Sequence, residues 1–303
     1  MDALRVGLLG YGEVGRVFGA GLQTAGVAWT GAWDVQMDDP LWRTKAVEQA
    51  QPAGVHLCAG LADLCEGSTL LISAVTASST LAVAQAAARV LQPGSFFLDL
   101  NSASPHTKQQ AAAVIESAGA HYVEAGVMTS VPPYGLRVPM LLGGVHAPRL
   151  AEQLRSLGMD ATVVSERIGV ASATKMCRSV MIKGLEALVL ESYTTARHYG
   201  VEDAMIATLQ ETFPAIDWQQ QGGYFFSRVA QHGKRRAEEM REVANTVQEA
   251  GFEPWMASAI AEKHDWMAAQ ARAGLFQGLG AQPNWQAYAD RLLAARGPAA
   301  NDS

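Results

Sequence analysis

The run VGLLGYGEVG, Val6 to Gly15, constrains this chain more than any other stretch. It sets Gly10, Gly12 and Gly15 in G-x-G-x-x-G spacing directly behind the apolar run Leu4 to Leu9. An Ala/Gly-rich stretch of helical character, Arg16 to Ala25, follows, and a second apolar run, Val27 to Trp33, ends in Asp34. Strand, tight turn, helix and strand in that order make a βαβ unit. Gly10 permits the turn, Gly12 lets a pyrophosphate approach the backbone, and Gly15 lets the helix lie close on the strand. Free N–H groups and a partial positive charge at the helix start suit phosphates, and Asp34 stands near the distance at which a carboxylate meets an adenosine ribose. Packing alone can also place glycines before a helix. Strand, helix and Asp34 in register favour a dinucleotide, and NAD rather than NADP, because a carboxylate accepts from a ribose diol and repels a 2′-phosphate.

The chain then continues to alternate. A polar stretch through Asp38, Asp39 and Pro40 leads into a helix, and short strands are expected at Val55 to Cys58 and, as a continuous apolar run, at Ser68 to Val75. A helix over Ser79 to Leu91 precedes the strand Phe96 to Leu100. Further on come a helix (Thr107 to Ser117), a strand (His121 to Ala125), a loop (Gly126 to Arg137), a strand (Pro139 to Gly143), a helix (Pro148 to Leu157) and a last strand (Asp160 to Val164). Strands alternating with helices predict a mostly parallel sheet, with ligands beyond its carboxyl ends. The expected dinucleotide contacts are therefore Gly10, Tyr11, Gly12, Glu13, Val14, Gly15, Asp34, Val75, Thr76 and Asn101.

From Ile168 the strand signals stop. Helices are expected over Val170 to Tyr199 with Gly200 as its cap, and then over Glu202 to Thr212, Tyr224 to Ala250, Pro254 to Ala273 and Trp285 to Ala295. The organisation is thus an α/β Rossmann-type domain over 1–166, an all-α domain over 167–296 entered by a long helix of roughly 45 Å, and a frayed tail over 297–303. The apolar residues of that helix, Val180, Met181, Leu185, Leu188, Val189 and Leu190, point to a homodimer.

Composition narrows the partners. A net charge of −6 argues against nucleic acid, and the one basic cluster, Lys234 to Arg236, is followed at once by Glu238 and Glu239. Three scattered cysteines suggest neither a disulfide framework nor a metal site, and they fit a reducing cytoplasm. No leader or membrane-spanning run is read in the sequence.

Lys175, in IGVASATKMCRS, opens the long helix. Arg178, Ser179, Ile182 and Glu186 share its helical face, whereas Lys183 points about 80° away and is expected to be dispensable for chemistry. On spacing alone, a solvent-facing lysine is the common alternative.

Four segments in order resemble the β-hydroxyacid dehydrogenase family, which includes 3-hydroxyisobutyrate, tartronate-semialdehyde and 6-phosphogluconate dehydrogenases. Gly10 to Gly15 matches the cofactor motif, Asp99 to Pro105 resembles the substrate-binding D-x-S-S/T segment, Glu124 to Ser130 stands where the family has D-A-P-V-S-G-G, and Gly169 to Ser179 resembles the catalytic-lysine segment. The resemblance implies a hydride transfer between nicotinamide and a 3-hydroxy acid, with Lys175 as general acid/base. Ser102, Thr129, Ser130, Arg178 and Ser179 would then hold the substrate. Arg178 and Ser179 replace the usual Asn residues, Ala171 replaces a glycine, and Thr129-Ser130 replace paired glycines, so substrate recognition differs from the family's usual form. The loop Met128 to Pro139 also differs and carries Tyr134 and Arg137; Lys234, Arg235 and Arg236 are candidates for the family's second cofactor cation. Tyr134, Trp218, Tyr224 and Phe225 allow a bulkier or aromatic substrate side chain, though at helical spacing such residues are more often core, and His232 and His264 read as ordinary helix residues. Two other classes compete: an imine or other carbonyl reductase on this fold, which usually lacks such a lysine, and a dinucleotide-binding protein without catalysis.

Overall fold

The computed structural model describes residues 4–280 and 283–296. The chain forms two compact units, Met1–Cys177 and Arg178–Ser303. The tail expected at 297–303 lies outside the described residues.

The first unit alternates β1 (Arg5–Leu9), α1 (Glu13–Thr24), β2 (Trp29–Trp33), α2 (Pro40–Ala50), β3 (His56–Leu57), α3 (Leu61–Gly67), β4 (Leu70–Ser73), α4 (Thr80–Ala88), β5 (Phe96–Asp99), α5 (Pro105–Ser117), β6 (His121–Val127), β7 (Met140–Gly143), α6 (Ala147–Ser156) and β8 (Ala161–Ser165). One eight-stranded sheet runs β3-β2-β1-β4-β5-β6-β7-β8. Every neighbouring pair is parallel except β6 and β7. The exception follows from the connection: the 128–139 loop returns without a crossover helix, closed at its base where Met128 N donates to Pro139 O at 2.9 Å.

The central strands are apolar on both faces, and period-2 alternation sorts them into two cores. Val6, Leu8, Leu70, Ile72 and Leu98 pack with Phe18, Leu22, Leu150 and Leu154. Leu9, Leu71 and Phe97 pack on the other face with Leu64, Ala84, Ala87, Ala111 and Ile115. Small alanines on α4 and α5 let those two helices lie close together. Each fully buried leucine or phenylalanine contributes about 1.5–3 kcal/mol, and Leu71→Ala would cost about 2–5 kcal/mol. The α-helix α3, short and between β3 and β4, was not anticipated from sequence.

The helix α7 (Val170–Tyr199) crosses the division between units, so its first two turns go with the sheet although the sequence pattern changes at 166. Gly200, at φ +66°, ends it: Val201 N donates back to Ala196 O at 3.1 Å. The second unit adds α8 (Glu202–Thr212), α9 (Trp218–Glu249), α10 (Trp255–Arg272) and α11 (Trp285–Ala294). Its apolar core gathers Tyr193, Trp218, Phe226, Met267, Trp285 and Tyr288, with Tyr193 edge-on to Trp285 at 4.9 Å.

Beside that core lies a buried charged layer. Arg236 of α9 forks onto Glu186 of α7, with Nε to Oε2 at 2.9 Å. Lys183 pairs with Glu239 at 2.9 Å and reaches Ser179 Oγ at 3.4 Å. Lys183, expected to be dispensable for chemistry, is buried and engaged, so removing it would also remove an ion pair. Arg236 is likewise committed to Glu186, so of the three basic candidates only Lys234 and Arg235 are exposed. His264 is fully buried 3.7 Å from Glu186.

Candidate functional site

Gly10, at φ +98°, turns the chain out of β1; a Cβ there would meet Ala74 O at 2.5 Å. Gly15 is required by packing, since a Cβ would stand 2.2 Å from Gly10 O. Gly12 is different: a Cβ there would meet nothing within 4 Å, and as N-cap of α1 it offers no side-chain cap. Nothing inside the protein requires a glycine at 12, and the space in front of the uncapped helix start is what a pyrophosphate needs. The residues fit a dinucleotide.

The neighbouring candidates divide by role. Tyr11 turns its ring into the core, where burial raises its phenol pKa, and it presents only backbone to the crevice. Glu13 is exposed and Val14 half-buried on the first turn of α1. Asp34 is buried: Oδ2 accepts from Tyr11 N at 2.8 Å and Oδ1 from Gln36 N at 2.9 Å. It latches the glycine loop to the end of β2 before any ribose is considered.

Asn101 holds the next loop. Its Oδ1 accepts from Val75 N at 2.7 Å, and its Nδ2 donates to Ser73 Oγ at 2.9 Å. Thr76 is exposed, with its hydroxyl 2.9 Å from Ser79 Oγ. Beneath Asn101 sits a fully buried network. Asp99 accepts from Asn101 N (2.9 Å), from Tyr122 OH (2.7 Å) and from Lys108 Nζ (2.8 Å), which also donates to Asp99 O at 3.0 Å. Burial, reinforced by Asp99, pushes the Tyr122 phenol well up, so it stays a donor.

Ser102 and Lys175 are 73 residues apart in sequence, and here Nζ donates to Oγ at 2.5 Å. Both are half-buried. Gly126 lets α7 come this close to β6, since a Cβ there would stand 3.0 Å from Ala171 O and 3.5 Å from Lys175 Cβ. Thr129 and Ser130 follow on the turn after β6, exposed and half-buried respectively. Arg178 is exposed one turn beyond Lys175 on α7, whereas Ser179 is buried against Lys183. Tyr134 and Arg137 are exposed on the 128–139 loop.

Two residues of this site carry signals that the sequence reading passed over. Lys108 falls with Ala111, Ala112 and Ile115 on the apolar stripe of α5, where only a paired lysine can sit. Glu124 stands in the buried middle of β6, between Val123 and Ala125.

The expectation of no metal grouping also meets a finding. His56, Cys58 and Asp63 bring ligand atoms within 4.8 Å of one another. Burial, aided by Asp63, pushes the Cys58 thiol up to about 11, away from the thiolate a metal takes.

Residues 5–132 match the family described as the NAD binding domain of 6-phosphogluconate dehydrogenase, and residues 196–267 match a domain of unknown function, DUF1932. A conserved hypothetical protein from Sinorhizobium meliloti is 36% identical, with 96% of each chain covered and a TM-score of 0.77. Conserved protein MTH1747, whose structure is described as similar to 3-hydroxyacid dehydrogenases, is 29% identical over 89% of this chain and 98% of its own, with a TM-score of 0.69. The 3-hydroxyisobutyrate dehydrogenase of Mycobacterium tuberculosis, 15% identical over 95% of this chain and 99% of its own, shares the fold at a TM-score of 0.72. No described helix is long and apolar enough to cross a membrane.

Proposed function

Because the chain belongs to the family of its 36%-identical relative, a divergent β-hydroxyacid dehydrogenase branch joining an NAD-binding domain to a DUF1932 domain, we propose that it oxidises a small 3-hydroxy acid, or reduces its carbonyl form, with a nicotinamide dinucleotide. The observation that carries this reading is the 2.5 Å approach of Lys175 Nζ to Ser102 Oγ. The helix that opens with the lysine and the loop that follows the Asp99 network come together there, as a general acid/base and a substrate anchor must.

The nicotinamide, when bound, accepts or returns the hydride. The rest of the chemistry belongs to the chain. Asp34 and Asn101 hold the loops at the dinucleotide crevice. Ser102, with backbone donors near Thr129 and Ser130, orients the substrate carboxylate. In the oxidative direction, Lys175 Nζ takes the hydroxyl proton; in the reductive direction, its ammonium returns that proton to the carbonyl oxygen. Arg178, exposed one turn further along α7, is assigned to substrate recognition. The imine-reductase alternative is disfavoured by the presence of Lys175.

Lys175→Met should lower kcat by roughly 10² to 10⁴-fold and leave dinucleotide affinity unchanged. Most of the activity surviving on a verified hydroxy acid would sink the reading. We further propose NAD as the preferred cofactor, on the strength of Asp34, read as kcat/KM for NAD against NADP. Exposed Met181, Ile182 and Leu188 on α7, with Trp255 and Met256 on α10, support a homodimer. Sedimentation that shows only monomer at micromolar concentration would exclude it.

A further inference from the structure

Glu124 and Asp99 are register partners on β6 and β5, and both side chains are fully buried. Asp99 is answered by Lys108. Glu124 is answered by backbone: Oε1 accepts from Gly169 N at 2.7 Å and Ala171 N at 3.0 Å, and Oε2 accepts from Ser172 N at 3.3 Å. These N–H groups belong to the first turn of α7 and the residue before it. A helix leaves such groups without intrahelical partners, and its dipole favours a negative charge there. A carboxylate placed in a strand thus caps a helix that lies about 45 residues later in the chain.

The strand pair is shaped for it. Gly143 of β7 lies opposite Glu124, and a Cβ at 143 would stand 2.5 Å from Oε1 and 3.0 Å from Cγ. Gly126 lies two residues further along the same face of β6, where Ala171 O and Lys175 Cβ approach. Between the capped residues and Lys175 there is only one turn of regular helix, which transmits position with little slack.

We infer that Glu124 is a positioning residue, which fixes the first turn of α7 and so sets where Lys175 Nζ meets Ser102 Oγ. The inference rests on the dehydrogenase reading for its catalytic consequence and not for its geometry. Asp99 does the corresponding work for Ser102 through Asn101, so two adjacent strand residues locate both halves of the contact.

The test uses the full chain with Glu124→Gln and, separately, Gly143→Ala, which crowds the same carboxylate from another strand and changes no charge. Three measurements are made: hydrogen exchange at the amides of 169–172, acylation of Lys175 by acetic anhydride followed by peptide mass spectrometry, and steady-state kinetics. Both variants should lose protection at 169–172 and label Lys175 several-fold faster, while binding the dinucleotide as tightly as the parent. Where turnover is measurable, kcat should fall by roughly 10- to 100-fold, the effect of misplacing a catalytic group by about 1 Å. A merely structural role would not change Lys175 labelling while dinucleotide binding is kept. Parent-like exchange and labelling in both variants would overturn the inference. If exchange and labelling change as expected but the parent turns over no hydroxy acid, the positioning stands and the proposed function falls. Should Glu124→Gln not fold, Gly143→Ala carries the test alone.

Discussion

Buried charge is used in opposite ways in the two units. In the sheet unit, the buried carboxylates of Asp34, Asp99 and Glu124 all accept from backbone N–H groups: Tyr11 and Gln36, Asn101, and Gly169, Ala171 and Ser172. Each one therefore fixes a loop or a helix start that faces the crevice. In the helical unit, Glu186 and Glu239 are engaged by the side chains of Arg236 and Lys183, helix to helix. The first arrangement shapes a site, because backbone cannot rotate away as a side chain can. The second specifies which helix faces which, the role for which a buried ion pair is best suited.

Paired substitutions separate the two arrangements by the largest effect. Lys108→Met and Arg236→Met each leave a buried carboxylate without its cation, and each should cost about 3–5 kcal/mol in chemical unfolding. The double variant Glu186→Leu/Arg236→Met should recover most of that loss, since an ion pair of side chains can be exchanged for apolar packing at little net cost. Asp99→Leu/Lys108→Met should not recover, because Asn101 N and Tyr122 OH lose their acceptor as well. Equal recovery in both units would show that the two kinds of buried charge do not differ in energy.

The same contrast explains what could be read from the sequence. The βαβ order, the glycine loop and the long helices were legible because periodicity and turn chemistry are local. Strand after strand fell within a residue or two of its expected place, and α7 fell on Val170–Tyr199 as read. Family resemblance, not spacing, singled out Lys175 and Ser102 separately, and only the fold shows that they meet. The work of Glu124 and Lys108 was out of reach because their partners lie on other elements and only the folded topology brings them together. The burial of Lys183 was out of reach for the same reason: its angle on an isolated helix says nothing of its partner Glu239 on α9. The antiparallel β7 was hidden because an apolar run does not state its direction.

A smaller effect sharpens the sheet side of the comparison. The sequence places Asp34 near the adenosine ribose and, through its carboxylate, favours NAD over NADP. Its two oxygens are already engaged by Tyr11 N and Gln36 N. Asp34→Ala should therefore cost about 1–3 kcal/mol of stability from the orphaned buried N–H. It should also weaken both dinucleotides, NAD more than NADP, because the glycine loop loses its latch for both while a 2′-phosphate is relieved of the carboxylate's repulsion. Isothermal titration with both dinucleotides reads this directly. Gain of NADP affinity at unchanged stability would mean that Asp34 only reads the ribose.

The smallest effect tests the helical side through pH. His264 is fully buried, and neither ring nitrogen has a hydrogen-bond partner. Burial lowers its pKa from 6.5 to about 3; Arg236 and Lys183 push the same way, while Glu239 and Asp265 oppose them. Glu186, 3.7 Å away, is already held by Arg236. Between pH 6.5 and about 3 the unfolded histidine binds a proton that the folded one refuses, so the unfolded state gains as pH falls. Stability from this residue is therefore flat above pH 6.5 and declines below it by up to about 1.4 kcal/mol per pH unit. Urea unfolding of the parent at pH 7 and 5.5 should differ by about 1.2 kcal/mol more than that of His264→Leu, which has nothing to protonate. Parallel pH dependence in the two proteins would mean that His264 gains a proton as readily folded as unfolded, and that the charged layer beside it tolerates a third cation.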